Sequence, residues 1–184
     1  LAFVLVVGLA ALLPPEANAA SLAGVTLADR VPAGERNLAL NGLALRTRLG
    51  IKVYVAGLYL ERTANGAEAI FAADAPRRMV MRFLRGVGRA KICEAWDEGL
   101  VANSAGQAAA LAGRFAELCS LMPDAREGTE IVLTYLPGEG TAVEVDGAVR
   151  GRIAGKAFAD ALLACWIGPK PGPGEAFKQS LLGS

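Results

Sequence analysis

The stretch from Leu40 to Glu61, LNGLALRTRLGIKVYVAGLYLE, leaves the chain few ways to fold. Leu43, Leu45, Thr47 and Leu49 alternate with Ala44, Arg46 and Arg48, a two-residue period that gives a strand one apolar and one polar face. From Ile51 to Leu60 both parities are apolar, interrupted only by Lys52 and by Tyr54 and Tyr59. A run rich in β-branched and aromatic residues predicts a central strand covered on both sides. Asn41-Gly42 ahead of the first strand, and Gly50 between the two, are turn formers. The stretch therefore predicts two adjacent strands, with Arg46 on the first and both tyrosines on the second. What Arg46 faces decides which chemistry is open to the chain.

The rest of the sequence supplies the layers around this pair. Val25 to Leu27 predicts a short strand and Pro32 to Glu35 a turn. Ala67 to Ala73 can form about two helical turns. Arg77 to Leu84 alternates again, with Met79, Met81 and Phe83 on one face and Arg78, Val80, Arg82 and Leu84 on the other. Ala90 to Ala102 and Gln107 to Leu121 carry helical apolar stripes and predict a helical hairpin, with Ser104 available as an N-cap. The period returns to two at Thr129 to Leu136, Thr141 to Val145 and Val149 to Ile153, joined by PGEG and by Asp146-Gly147. Ala154 to Trp166 predicts a helix, Gly168 to Gly174 a proline-rich connector, and Ala176 to Leu182 a last short helix. Strands, helical hairpin, strands and helix do not alternate one by one, so a doubly wound parallel sheet is disfavoured and an α+β fold is expected. A helical layer on an antiparallel sheet can enclose an apolar pocket.

Composition removes several functions. The chain has no histidine, and so lacks the commonest general base and metal ligand. No metal site or cofactor is expected, because there is no CxxC pair or ligand cluster. Ser104 and Ser120 have no histidine partner for a catalytic triad. Gly86-x-Gly88 and Gly138-x-Gly140 lack the context of a dinucleotide loop. Nineteen basic against eighteen acidic residues, with no basic block, give no footprint for nucleic acid or an anionic membrane. Asp97 and Glu98 are helix neighbours that do not face each other, the pattern of a solvated surface.

Leu1 to Leu13 is apolar apart from Gly8, ends at Pro14-Pro15, and is followed by Ala17-Asn18-Ala19. Residues 1–19 are read as a secretory signal peptide truncated at its start, with cleavage after Ala19 and a mature domain over 20–184. The expected location is the periplasm or another exported compartment, with no membrane span after cleavage. Cys93, Cys119 and Cys165 are then one pair plus a buried thiol, or three buried thiols. Cys93 and Cys119 could face each other across the helical hairpin, but unbonded burial is the favoured state of each, cysteine being among the most buried residue types.

The block at Leu40 to Glu61 resembles the exported bacterial branch of the chalcone isomerase-like superfamily. So do MRFLRGV at Met81, EGLVAN at Glu98, IVLTYLPGEGTAVEVDG at Ile131, GKAFADALLACWIGPKP at Gly155 and FKQSLLG at Phe177. The resemblance covers nearly all of the mature chain. It implies an open-faced β-sandwich, a large antiparallel sheet covered on one face by a layer of helices, with a ligand cleft between them. In the plant isomerases of the superfamily an arginine in the first organising strand is the catalytic electrophile. In the plastid fatty-acid-binding branch it holds the carboxylate. Arg46 matches that position. The position of the isomerases' catalytic threonine falls on Tyr54. Their helix tyrosine has no counterpart, since no tyrosine occurs between Tyr59 and Tyr135, and their asparagine falls near Ala95 or Trp96.

The resemblance thus implies a non-catalytic binder of a fatty acid or similar small apolar anion, held by Arg46 and Tyr54. The alternatives are an intramolecular lyase acting on a chalcone-like enone, with Arg46 catalytic, and a structural or partner-binding envelope protein. On physical grounds, a buried Arg46 needs a ligand anion, water, or a protein carboxylate such as Glu130 or Glu144. Trp96 and Trp166 are expected as packing anchors.

Overall fold

The computed structural model describes residues 19–184; the expected leader, apart from Ala19, lies outside the described residues. Seven strands form one antiparallel sheet in sequence order: β3 (Arg30–Ala33), β4 (Arg36–Arg48), β5 (Ile51–Leu60), β6 (Arg77–Phe83), β7 (Glu130–Leu136), β8 (Gly140–Val145) and β9 (Ala148–Ile153). Two shorter strands, β1 (Ala19–Leu22) and β2 (Val25–Ala28), pair as a separate hairpin. The helices are α1 (Ala67–Ala72), α2 (Arg89–Asn103), α3 (Ala108–Ser120), α4 (Lys156–Ile167) and α5 (Glu175–Leu181). The fold is α+β, an open-faced sandwich of sheet and helices, as expected.

The two parities of the strands build two cores. On the helical side, Ala44, Ala56, Leu58, Met79, Met81 and Phe83 pack against Ile92, Trp96, Phe158, Leu162 and Trp166. On the opposite side, Val55, Tyr59, Val80 and Val132 pack under Val25 and Leu27 of β2, with Leu43 and Leu45 at the edge. Leu43 and Leu45 of the opening alternation thus point away from the helices. Its polar parity, Ala44 and Arg46, faces them. The β1–β2 hairpin covers part of the face opposite the helices, so β5 is covered on both sides, as its apolar run predicts.

Three local expectations are corrected. Asn41-Gly42 does not turn the chain. β4 runs straight through it with a bulge, the register passing from Leu40 to Gly42. Asn41 Nδ2 donates to the carbonyls of Ala64 at 3.0 Å and Leu181 at 2.8 Å, while its Oδ1 accepts from the Ala64 amide at 2.7 Å. Gly42 is required there because a Cβ would stand 2.2 Å from the Ser180 carbonyl oxygen of α5. Ser104 makes no capping hydrogen bond, because a 3-10 turn over Ala105–Gln107 separates it from α3. Of the expected turn at Pro32 to Glu35, Pro32 and Ala33 belong to β3.

The cysteines also differ from the favoured expectation. Cys93 of α2 and Cys119 of α3 form a disulfide, with Cα atoms 5.6 Å apart. Antiparallel helices brought together by a short connection place the two residues within bonding reach. Cys165 is a buried free thiol.

Candidate functional site

Arg46 and Tyr54 are register partners across the β4–β5 ladder, so both side chains stand on the same face of the sheet. That face looks toward the helices. Between Arg46 and Thr47 the register skips Val53, a bulge in β5 directly beside the pair. Bulges bend a strand and re-aim its side chains, and they recur beside functional sites.

The two residues line a cleft of about 630 Å3. That lies within the range of about 300–1,000 Å3 typical of small-molecule sites. Met81 and Phe83 supply its floor from β6, Ile92 and Trp96 its wall from α2, and Trp166 its far wall from α4. α2 approaches α4 closely because Gly99 has no side chain: a Cβ there would lie 2.6 Å from Cys165 Sγ. An outer groove of about 640 Å3 runs over α2 and α3, lined by Val101, Ala108, Ala112 and Ala116. It is more open than the cleft beneath α2 and contains neither Arg46 nor an aromatic wall.

Arg46 is half-buried. Its Nη1 donates to the Pro173 carbonyl at 2.9 Å, and it takes part in no ion pair among the described residues. The carboxylates that could have neutralised it are elsewhere. Glu130 Oε2 accepts from Arg82 Nη2 at 2.7 Å, and Glu144 lies on β8, with three strands between it and β4. Arg77 provides the contrast. It is buried, donates to Asp160, and stacks 4.9 Å from the centroid of Tyr135. Arg77 is a structural guanidinium with its own carboxylate; Arg46 is held in place by a backbone carbonyl with its charge uncompensated.

Tyr54 is fixed by its neighbours. Phe83 and Phe177 pack against the ring at centroid distances of 5.5 and 6.0 Å. Trp166 Nε1 donates to the Tyr54 hydroxyl at 3.1 Å. Since the tyrosine oxygen accepts that bond, its own proton remains available to a ligand oxygen. Burial pushes the hydroxyl up to about 12, against smaller lowering contributions from Trp166 and Arg46. Burial also pushes the Cys165 thiol up to about 12. Its Sγ lies 3.6 Å from the Ala161 carbonyl and 3.7 Å from that of Trp96.

Trp96 and Trp166 are the packing anchors expected of them, edge to face at 6.2 Å, and they line the cleft as well. Tyr59 belongs to the other face, its hydroxyl donating to the Ala28 carbonyl at 2.8 Å. Sequence reasoning did not single out Arg48, Arg85, Lys91 and Lys170 at the cleft mouth, or the Pro173 carbonyl. The four cations lie on separate segments with no shared period. A backbone carbonyl leaves no mark in a sequence.

The family model described as Chalcone isomerase-like matches residues 19–183. The chain belongs to the chalcone isomerase-like family. Among solved structures, this chalcone isomerase-like chain is similar to a fatty-acid binding protein of Arabidopsis thaliana. The likeness covers 90% of this chain and 96% of that one, with a TM-score of 0.70 and 19% sequence identity. At that identity the likeness speaks for the fold. No curated protein matches the sequence.

Proposed function

We propose that this chalcone isomerase-like chain binds a fatty acid or similar apolar anion in the cleft between sheet and helices, with Arg46 anchoring the anionic end. The observation that carries this reading is the uncompensated Arg46 guanidinium beside the apolar and aromatic walls that Phe83, Ile92, Trp96 and Trp166 give the cleft. A guanidinium fork matches a carboxylate in shape, and the pair strengthens where water is excluded. Tyr54 offers its hydroxyl proton to the same anion. The fatty-acid binding protein of like fold supports the choice of ligand class. The groups that titrate deepest in the cleft, Tyr54 and Cys165, both sit at about 12, which favours holding a ligand over moving a proton.

Mass spectrometry of lipid extracted from the purified native protein and from Arg46→Ala tests the reading. The native protein is expected to carry fatty acid and the variant much less; equal loading would remove Arg46 from its role. A chalcone turnover assay on the same preparations tests the isomerase alternative, and a rate above background would favour it.

The place of action is part of the same proposal. The Cys93–Cys119 disulfide supports an oxidising, exported compartment, since such bonds are rare in the cytosol. Amino-terminal sequencing of the exported protein should begin at Ala20.

A further inference from the structure

The cleft mouth has a second character that ligand binding does not use. β4 and β5 are joined by Leu49-Gly50, and Leu49 is 95% exposed, with Ile51 49% exposed beside it. Among the described residues, exposed large hydrophobics occur at four positions, and these two share one hairpin tip on the rim of the cleft.

Leu49 is also in a costly conformation. Among the described residues three non-glycine residues have positive φ, Ala23, Leu49 and Asp146, each at 50° and each ahead of a glycine in a turn between strands. Such left-handed turns favour Asn, Asp or Gly. A bulky residue there is strained, and strain retained at an exposed position points to a use. At the cleft mouth the strained residue is a large, solvated leucine.

Cations line the cleft on whose rim the tip stands. The cleft is lined by Arg46, Arg48, Arg85, Lys91 and Lys170 against a single carboxylate, Glu98, although the whole chain has a net charge of only +1. Lys91 is paired with Glu94 at 2.7 Å, whereas Arg48, Arg85 and Lys170 form no ion pair among the described residues. Lys52 adds an exposed cation next to Ile51. An apolar tip flanked by Arg48 and Lys52, on the rim of a cation-lined cleft, matches the interface of an anionic bilayer, which takes up the apolar side chains and attracts the charges.

We propose that the Leu49–Ile51 tip docks this protein on anionic lipid bilayers, placing the mouth of the cleft at the membrane surface where an apolar anion would enter or leave. The purpose of the contact rests on the ligand proposed above; the contact itself does not.

Flotation of the native chain with phosphatidylglycerol vesicles and with phosphatidylcholine vesicles tests the docking. Leu49→Asn is the decisive variant, because it makes the turn Asn-Gly and should leave Tm unchanged or raise it. The native chain is expected to float with the anionic vesicles and not with the neutral ones, and to be released by added salt. Leu49→Asn should lower its partition about tenfold, the worth of one buried leucine side chain. No native flotation, equal flotation with both lipids, or unchanged flotation of Leu49→Asn would each overturn the docking. The first result would also direct the search for the tip's partner to proteins. None of these results bears on fatty-acid loading, which the extraction experiment reads separately.

Discussion

Arg46 and Tyr54 face each other across the β4–β5 ladder, and each is held by a group from the far side of the cleft: Arg46 by the Pro173 carbonyl, Tyr54 by the Trp166 indole. Neither restraint satisfies what the side chain offers. The guanidinium retains its charge, and the phenol retains its proton. A pair so prepared is organised for an acceptor oxygen carrying negative charge, with little reorganisation needed on binding.

Tyr54→Phe should weaken ligand binding modestly. One neutral hydrogen bond is worth about 0.5–1.5 kcal/mol, so calorimetric affinity should fall up to roughly tenfold. The same substitution leaves the buried Trp166 N–H without its partner, so Tm should also fall slightly. An unchanged affinity would confine Tyr54 to packing.

Arg77→Ala should act in the opposite sense to any change at Arg46. It leaves Asp160 with Lys156 alone and takes the cation from the Tyr135 face. Losing a charge-assisted hydrogen bond of this kind costs about 1.5–3 kcal/mol. Urea denaturation should show that loss while bound lipid, in whatever protein stays folded, is retained.

Reduction should loosen the helical layer. The Cys93–Cys119 bridge closes a loop of sequence separation 26 and ties α2, a wall of the cleft, to α3. Paired Cys93→Ser and Cys119→Ser changes should cost about 2–4 kcal/mol in chemical denaturation, as for loops of this order. Equal stability of native and double-serine chains would argue against a bridge in solution.

Alkaline pH should unfold the chain by linkage. Burial pushes all three tyrosines, Tyr54, Tyr59 and Tyr135, up to about 12, and Cys165 likewise. These folded-state values lie above the unfolded ones, so the folded chain binds more protons and is favoured while they stay bound. Stability should therefore be full below about pH 9 and fall progressively toward about pH 12. Tm followed by circular dichroism, with phenolate absorbance alongside, checks both the window and its cause.

The β4–β5 pair, the helical hairpin and the later strands were legible because their periods are long enough to register. The site was legible only in part. The alternation around Arg46 marked a polar parity, but which parity lies inside depends on what covers each face. The β1–β2 hairpin settles that by covering Leu43 and Leu45, and its strands of four residues carry no readable period. Asn41-Gly42 has strong local turn chemistry, which thirteen residues of strand pairing override by forming a bulge. The disulfide depended on a helix-to-helix distance, and the hold on Arg46 on a main-chain oxygen. Neither is written in residue types.

The most direct test of the account compares a fatty acid with its methyl ester. Displacement of a fluorescent probe by palmitic acid and by methyl palmitate separates recognition of the charge from burial of the chain. A charge-assisted bond is worth about 1.5–3 kcal/mol, so the native protein should prefer the acid by at least about tenfold. Arg46→Ala should bind acid and ester alike. Equal binding of the two by the native protein, or a preference for the acid that survives in Arg46→Ala, would contradict the central role given to Arg46.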